Sequence, residues 1–136
     1  MAAAMRATAP QTVAGPTTGG ILLAYEIGRA LGTRGIFAER AEGGGRAFQR
    51  DFHLAPGERV LVVDDVLTSG SSVNDTLDAV RAAGGVPVGV AVMVDRSAGK
   101  VRFGDLPFFA ATEVDMQTFE PAACPLCARD VPLTIT

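Results

Sequence analysis

The stretch Val60-Leu61-Val62-Val63-Asp64-Asp65-Val66-Leu67-Thr68-Ser69-Gly70-Ser71-Ser72 decides how the rest of the chain is read. Its β-branched opening, Arg59 to Val63, predicts a strand covered on both faces. Two adjacent carboxylates follow, then small and hydroxyl-bearing residues, then Val73, Leu77 and Val80 at helical spacing. Ser71 or Ser72 is the expected helix cap, and Gly84-Gly85 the expected end. Small residues let the backbone N–H groups of Thr68 to Ser72 curl around an anion, and a helix start aims its unpaired N–H groups at the same point. The helix dipole alone contributes about 0.3–2 kcal/mol to a phosphate held there. Thr68, Ser69, Ser71 and Ser72 add hydroxyl donors. The segment reads as a phosphate cradle.

The Asp64-Asp65 pair sharpens the ligand, because carboxylates repel phosphate. They make chemical sense beside donating ribose hydroxyls or a hydrated Mg²⁺. Ligands of open α/β folds bind at the carboxyl edge of a parallel sheet, so the combination specifies a phosphorylated sugar. An acid pair alone usually does no more than cap a loop; the unbroken order of strand, acids, hydroxyl loop and helix is far more specific. A Walker A loop is excluded, since no Gly-Lys-Ser/Thr is present, and no G-x-G-x-x-G follows a strand.

Outward from this segment, Thr12 to Gly15 predicts a strand that opens into the loop Gly15-Pro16-Thr17-Thr18-Gly19-Gly20. Gly20 to Leu31 places Leu23, Ile27 and Ala30 on one helical face, with Gly32 as the stop. Gly35 to Ala38 is the next strand, completing a βαβ unit and implying a largely parallel sheet. Residues 39–56 carry Arg40, Arg46, Arg50, Gly43 to Gly45 and the single His53, which suits a flexible loop or loose hairpin. Val86 to Val94 is another strand, closing on Asp95-Arg96; Phe108 to Ala110 and Val114 suggest late edge strands. The expectation is one α/β domain over residues 1–136, a mostly parallel central sheet flanked by helices. A net charge of −3 gives no footprint for nucleic acid. No stretch is long and apolar enough to span a membrane or to serve as a secretory signal, so a reducing cytoplasm is expected.

Val60 to Ser72 resembles the signature of the type I phosphoribosyltransferases. That resemblance implies that Val66 and Leu67 lead into a loop, Thr68 to Ser72, which holds the 5′-phosphate of phosphoribosyl diphosphate. It also implies that Asp64 and Asp65 face the ribose hydroxyls. Other segments are similar to the orotate phosphoribosyltransferases in particular. Gly15 to Gly20, with Thr17 and Thr18, is similar to their diphosphate loop. Phe37 to Arg40 followed by Glu42-Gly43 resembles the approach to their flexible catalytic loop. Asp95-Arg96 matches the Arg that, with Thr68 nearby, contacts the orotate carboxylate, and Cys124-Pro125-Leu126-Cys127 with Val131-Pro132-Leu133 recurs near the end of some bacterial members. The implied activity is transfer of the phosphoribosyl group to orotate, with Asp64, Asp65, Arg40 and His53 as catalytic candidates and Arg46 as a further diphosphate ligand. The implied cofactor is Mg²⁺, carried by the substrate diphosphate and water without direct protein ligands, and the implied assembly is a homodimer.

The departures are also readable. Relatives carry a basic residue in the diphosphate loop and lysines in the mobile loop, whereas Lys100 is the only lysine here. Arg40, Arg46, Arg50 and His53 are therefore the candidates to take over. Of these only His53 can pass a proton near neutrality, although a solitary loop histidine is more often just solvated. Only about ten residues precede Thr12, so the chain reads as a member lacking the family's N-terminal region. Transfer to another base, or a non-catalytic module that only binds the sugar phosphate, stay open. One C-x-x-C supplies half a zinc site, and reduced thiols packing a tail turn are its plain reading.

Overall fold

The computed structural model describes residues 1–116 and 119–132. One helical turn, α1 (Ala2–Met5), and a 3-10 turn (Arg6–Thr8) lead into β1 (Thr12–Pro16), α2 (Gly19–Leu31) and β2 (Arg34–Arg40). Then follow β3 (Arg46–Phe48), β4 (Arg59–Leu67), α3 (Ser71–Ala82), β5 (Val86–Asp95) and β6 (Phe108–Glu113). Leu133, part of the tail resemblance, lies outside the described residues.

Six strands form one sheet in the order β3-β2-β1-β4-β5-β6. Every neighbouring pair is parallel except β2 and β3, which form a hairpin. The crossover through α2 carries the chain from β1 to one side, and the crossover through α3 carries it from β4 to the other. Adjacent β1 and β4 are thus the point where the winding reverses, and a crevice opens at their carboxyl ends. Pairing of β1 with β4 stops at Ala14 and Val62, while β4 runs on beside β5 as far as Leu67 opposite Asp95. The strand thus overhangs its neighbour, and both carboxylates ride on the overhang.

Side-chain alternation sorts β4 between two cores. Val60 and Val62 pack with Leu77, Val80, Val90 and Val92 on the α3 face. Leu61 and Val63 pack with Met5, Ala24 and Ile27 on the α2 face. All four β4 residues are fully buried, each worth about 1.5–3 kcal/mol relative to exposure.

Several expectations change in detail. β4 does not end at Val63 but carries Asp64 to Leu67 within the strand, because β5 is long enough to pair with them. The cap of α3 is Gly70 at φ 81°, not Ser71 or Ser72; both serines lie in the first turn, since only a residue tolerant of left-handed backbone fits the cap. On α2 the buried face is Gly20, Ala24, Ile27 and Gly28, while Ala30 is exposed and Leu23 only partly buried. The reason is close approach: a Cβ on Gly35 would lie 2.5 Å from the Ala24 carbonyl oxygen, so small residues set that interface. The 39–56 segment is a hairpin in its first half, with Arg50 paired to Glu39 at 2.9 Å. Val114 falls just past β6, its N–H donating to the Asp95 carbonyl at 2.8 Å. Finally, the first residues are docked: Met5 is buried on the α2 face, and Arg59 Nε donates to the Ala9 carbonyl at 3.1 Å.

Candidate functional site

At the end of β4 the backbone turns sharply through Thr68-Ser69-Gly70 into α3. The first intrahelical bond runs from Asn74 N–H to the Gly70 carbonyl at 2.9 Å, leaving the N–H groups of Ser71, Ser72 and Val73 without helical partners. Ser69 Oγ lies 3.1 Å from Ser71 Oγ, and Thr68, Ser69 and Ser71 are exposed. A small concavity lined by Asp64 and the run Val66 to Val73 sits on these groups. The Leu67 side chain belongs to the core and its carbonyl already accepts from Arg96 N–H at 2.8 Å, so Leu67 shapes the cradle without offering it a polar group.

The acid pair does not act on one face. Asp64 has the parity of Val60 and Val62 and joins the cradle on the α3 side; Asp65 has the parity of Leu61 and Val63 and turns toward α2. A Cβ on Gly19 would fall 2.0 Å from Asp65 Oδ2, so the Asp65 carboxylate lies directly on the diphosphate-type loop, and only glycine fits beneath it. Asp64 is 5 % exposed. Burial pushes its carboxyl up to about 7; the neighbouring Asp65 carboxylate adds to the rise, and the Asp65 N–H and Arg46 oppose it.

Cationic groups come from the hairpin. Arg46 Nη1 donates to Thr17 Oγ1 at 3.0 Å and to the Ala38 carbonyl at 3.1 Å, while Nη2 reaches the Thr17 carbonyl at 3.2 Å. The basic residue missing from the Thr17-Thr18 loop in sequence is thus supplied in space by β3. A cleft of about 220 Å³ is lined by Arg40, Arg46, Gly44, Ser71, Ser72 and Asp75, among others, so both arginines face the start of α3. Arg96 follows β5 at the same edge, its backbone bound to Leu67, and its Nε is buried without a partner among the described residues.

The phosphoribosyl transferase domain family matches residues 3–122. The chain belongs to that family. It is similar to the orotate phosphoribosyltransferase of Heliobacterium modesticaldum, 50% identical over 123 residues, covering 90% of this chain and 63% of the relative. The chain therefore spans less than two thirds of that relative's length. Among solved structures it is similar in fold to adenine phosphoribosyltransferase from Thermoanaerobacter pseudethanolicus, with TM-score 0.71 and 18% identity over 83% of this chain and 76% of the other. Orotate phosphoribosyltransferase from Aeropyrum pernix gives TM-score 0.63 and 22% identity, over 80% of this chain and 63% of the other.

Within this phosphoribosyl transferase domain the structure brings Thr17, Thr18, Arg40, Arg46, Asp64, Asp65 and Thr68 to Ser72 to one edge. His53 is not among them. Its carbonyl is bound by Arg34 at the start of β2, and its exposed side chain lines an adjoining cavity of about 350 Å³ with Phe48, Phe52, Ala79 and Ala83; Arg46 lines both this cavity and the cleft. Distance from the acids follows from topology: Arg34 opens β2 at the amino edge, whereas Asp64 and Asp65 occupy the carboxyl edge.

Sequence alone assigns Asp95 no role beyond that of its neighbour Arg96. It is fully buried; Oδ1 accepts from Ser97 N–H at 2.7 Å, and Oδ2 has no hydrogen bond among the described residues, with Arg102 Nη1 3.8 Å away. Ser97 Oγ in turn accepts from Val101 N–H at 3.1 Å, and Val101 presses on Gly70, 2.7 Å from where a Cβ would be. Asp95 thereby holds the 96–103 segment against the cradle. A charged residue closing an otherwise apolar strand was the available signal.

Proposed function

We propose that the chain transfers the 5-phosphoribosyl group from phosphoribosyl diphosphate to orotate, forming orotidine 5′-monophosphate and releasing diphosphate. One observation carries the reading: a helix-start phosphate cradle, two carboxylates on an overhanging strand and two arginines converge at the crevice where β1 and β4 diverge. The orotate half of the proposal draws on similarity to relatives bearing that name and on the position of Arg96.

In this reading the C1′–oxygen bond to diphosphate breaks while a ring nitrogen of orotate bonds to C1′, and positive charge develops on the sugar. Thr68 to Ser72 anchor the 5′-phosphate through N–H and hydroxyl donors. Asp64 and Asp65 accept from the ribose hydroxyls and, as anions, favour the cationic transition state. Arg40, Arg46 and the hydroxyls of Thr17 and Thr18 hold the leaving diphosphate. Arg96 offers a planar guanidinium to the orotate carboxylate. In this reading Mg²⁺ would come with the substrate diphosphate and water, without direct protein ligands. When bound, the ion neutralises the leaving group. The proposal carries with it a homodimer acting in the cytoplasm; no helix among the described residues is long and apolar enough to cross a membrane.

Incubation with phosphoribosyl diphosphate, orotate and Mg²⁺ tests the reading directly, with orotidine 5′-monophosphate as the expected product. Binding of phosphoribosyl diphosphate without product from any base would instead support a binding module, a reading favoured by the lysine-poor loop. Base choice is tested by Arg96→Ala, which should weaken orotate about tenfold or more while changing phosphoribosyl diphosphate little. Equal weakening of both would move the assignment to another base.

A further inference from the structure

Cys124 and Cys127 lie outside the cleft, in the tail that leaves the sheet after β6. β6 ends with Glu113 opposite Asp95, so the tail departs from the same carboxyl edge that carries the site. Both thiols are free, Cys127 exposed and Cys124 partly so. The chain around them is tightly wound: Ala128 N–H donates to the Cys124 carbonyl at 3.1 Å, and Arg129 N–H to the Leu126 carbonyl at 3.1 Å. Winding of this kind brings the two thiols to one side of the turn, and Cys127 N–H points at Cys124 Sγ at 3.4 Å.

The two sulfurs are not equivalent. Hydrogen bonds from the Cys127 N–H, the Cys127 thiol and the Leu126 N–H hold the Cys124 thiol below the usual range. Cys127, as the thiol bonded to Cys124, is pushed up. A thiol made more acidic beside a partner made less acidic, with the partner's N–H aimed at its sulfur, is the arrangement that favours attack by the first and resolution by the second.

We propose that Cys124 and Cys127 form a reversible disulfide modification site, with Cys124 the attacking and Cys127 the resolving thiol, for oxidants of the low-molecular-weight disulfide class. The Cys124 thiolate attacks one sulfur of an oxidised thiol, RSSR; the S–S bond breaks, one RS⁻ leaves, and Cys124–S–S–R forms. Cys127 then loses its proton and attacks Cys124 Sγ, expelling the second RS⁻. The balance is two cysteine thiols and one RSSR giving one internal disulfide and two RSH. The inference is independent of the base transferred at the cleft.

Oxidised glutathione and intact-protein mass spectrometry test it. The wild-type chain should lose two hydrogens and retain no glutathionyl group, and dithiothreitol should restore it. Cys127→Ser should trap one glutathionyl group on residue 124, whereas Cys124→Ser should react slowly. Iodoacetamide near neutral pH should label Cys124 at least about fivefold faster than Cys127. Stable double glutathionylation of the wild type, no reaction at all, or trapping in Cys124→Ser and not in Cys127→Ser would each overturn the proposal. Thermal melting of both serine variants beside the wild type separates a thiol effect from unfolding.

Discussion

The two edges of the sheet treat their charges in opposite ways. At the amino edge Arg34 binds Glu58 at 2.8 Å and Thr12 Oγ1 at 2.9 Å, the Thr12 hydroxyl bonds Glu58, and Ala55 N–H donates to Glu58 at 2.7 Å. Burial alone would raise the Glu58 carboxyl, but the bonds from Thr12, Ala55 and Arg34 outweigh it and hold the group below its ordinary range. At the carboxyl edge Asp64 is buried and raised, Arg96 Nε lacks a hydrogen-bond partner among the described residues, and the N–H groups of Ser72 and Val73 have no helical partner. The Arg34–Glu58–Thr12 cluster fastens the strands, although Thr33 Oγ1 beside it is buried without a partner among the described residues; the open N–H groups and Arg96 at the other edge face the site and are available to a ligand.

The comparison can be broken most forcefully at the carboxyl edge. Asp65→Asn keeps shape and removes charge; it should lower kcat/KM about 10²–10³-fold while leaving the melting temperature within about 2 °C. Wild-type activity in that variant would take Asp65 out of the mechanism. At the amino edge the effects should be exchanged. Glu58→Ala strands Arg34 and Thr12, and should cost about 2–4 kcal/mol in denaturant unfolding with kcat within about twofold.

Asp64 joins the two kinds of effect. Between the ordinary carboxylate value and about 7, the folded chain keeps a proton that the unfolded chain has released. Its stabilising contribution is therefore complete at low pH and is lost as pH rises toward and through 7. Asp64→Asn should accordingly stabilise the chain by about 1–2 kcal/mol above pH 7, as read from unfolding at pH 5 and pH 8. In the wild type, kcat/KM should fall as pH drops below about 7 and the acid protonates. The smallest effect belongs to His53→Ala, expected to change kcat/KM by no more than about twofold because the side chain lies outside the cleft. A large loss there would mean that the hairpin repositions during turnover.

Much of this was legible because β4, the cradle and α3 are local: strand pattern, small residues and helical spacing occur within one run of chain. The strand-helix-strand order likewise made the parallel sheet readable. Other features needed space. Arg46 was a plain member of a charged segment until β3 paired with β2 and laid it on Thr17. The opposite facing of Asp64 and Asp65 follows from strand alternation, but only once the strand is known to continue past Val63, which depends on the length of β5. The turn α1 is too short for any periodicity to show, and the small-residue face of α2 is set by approach to Gly35, not by hydropathy. His53 carried the right chemistry, and its placement by Arg34 at the far edge could not be read from spacing.

The most direct measurement is a crystal structure of the chain with phosphoribosyl diphosphate and Mg²⁺. The 5′-phosphate should lie about 2.7–3.2 Å from the N–H groups that open α3, with ribose hydroxyls against Asp64 or Asp65 and the diphosphate near Arg46. A sugar phosphate lodged in the cavity beside Phe48 and His53, with the turn from Thr68 to Ser72 left bare, would contradict the account.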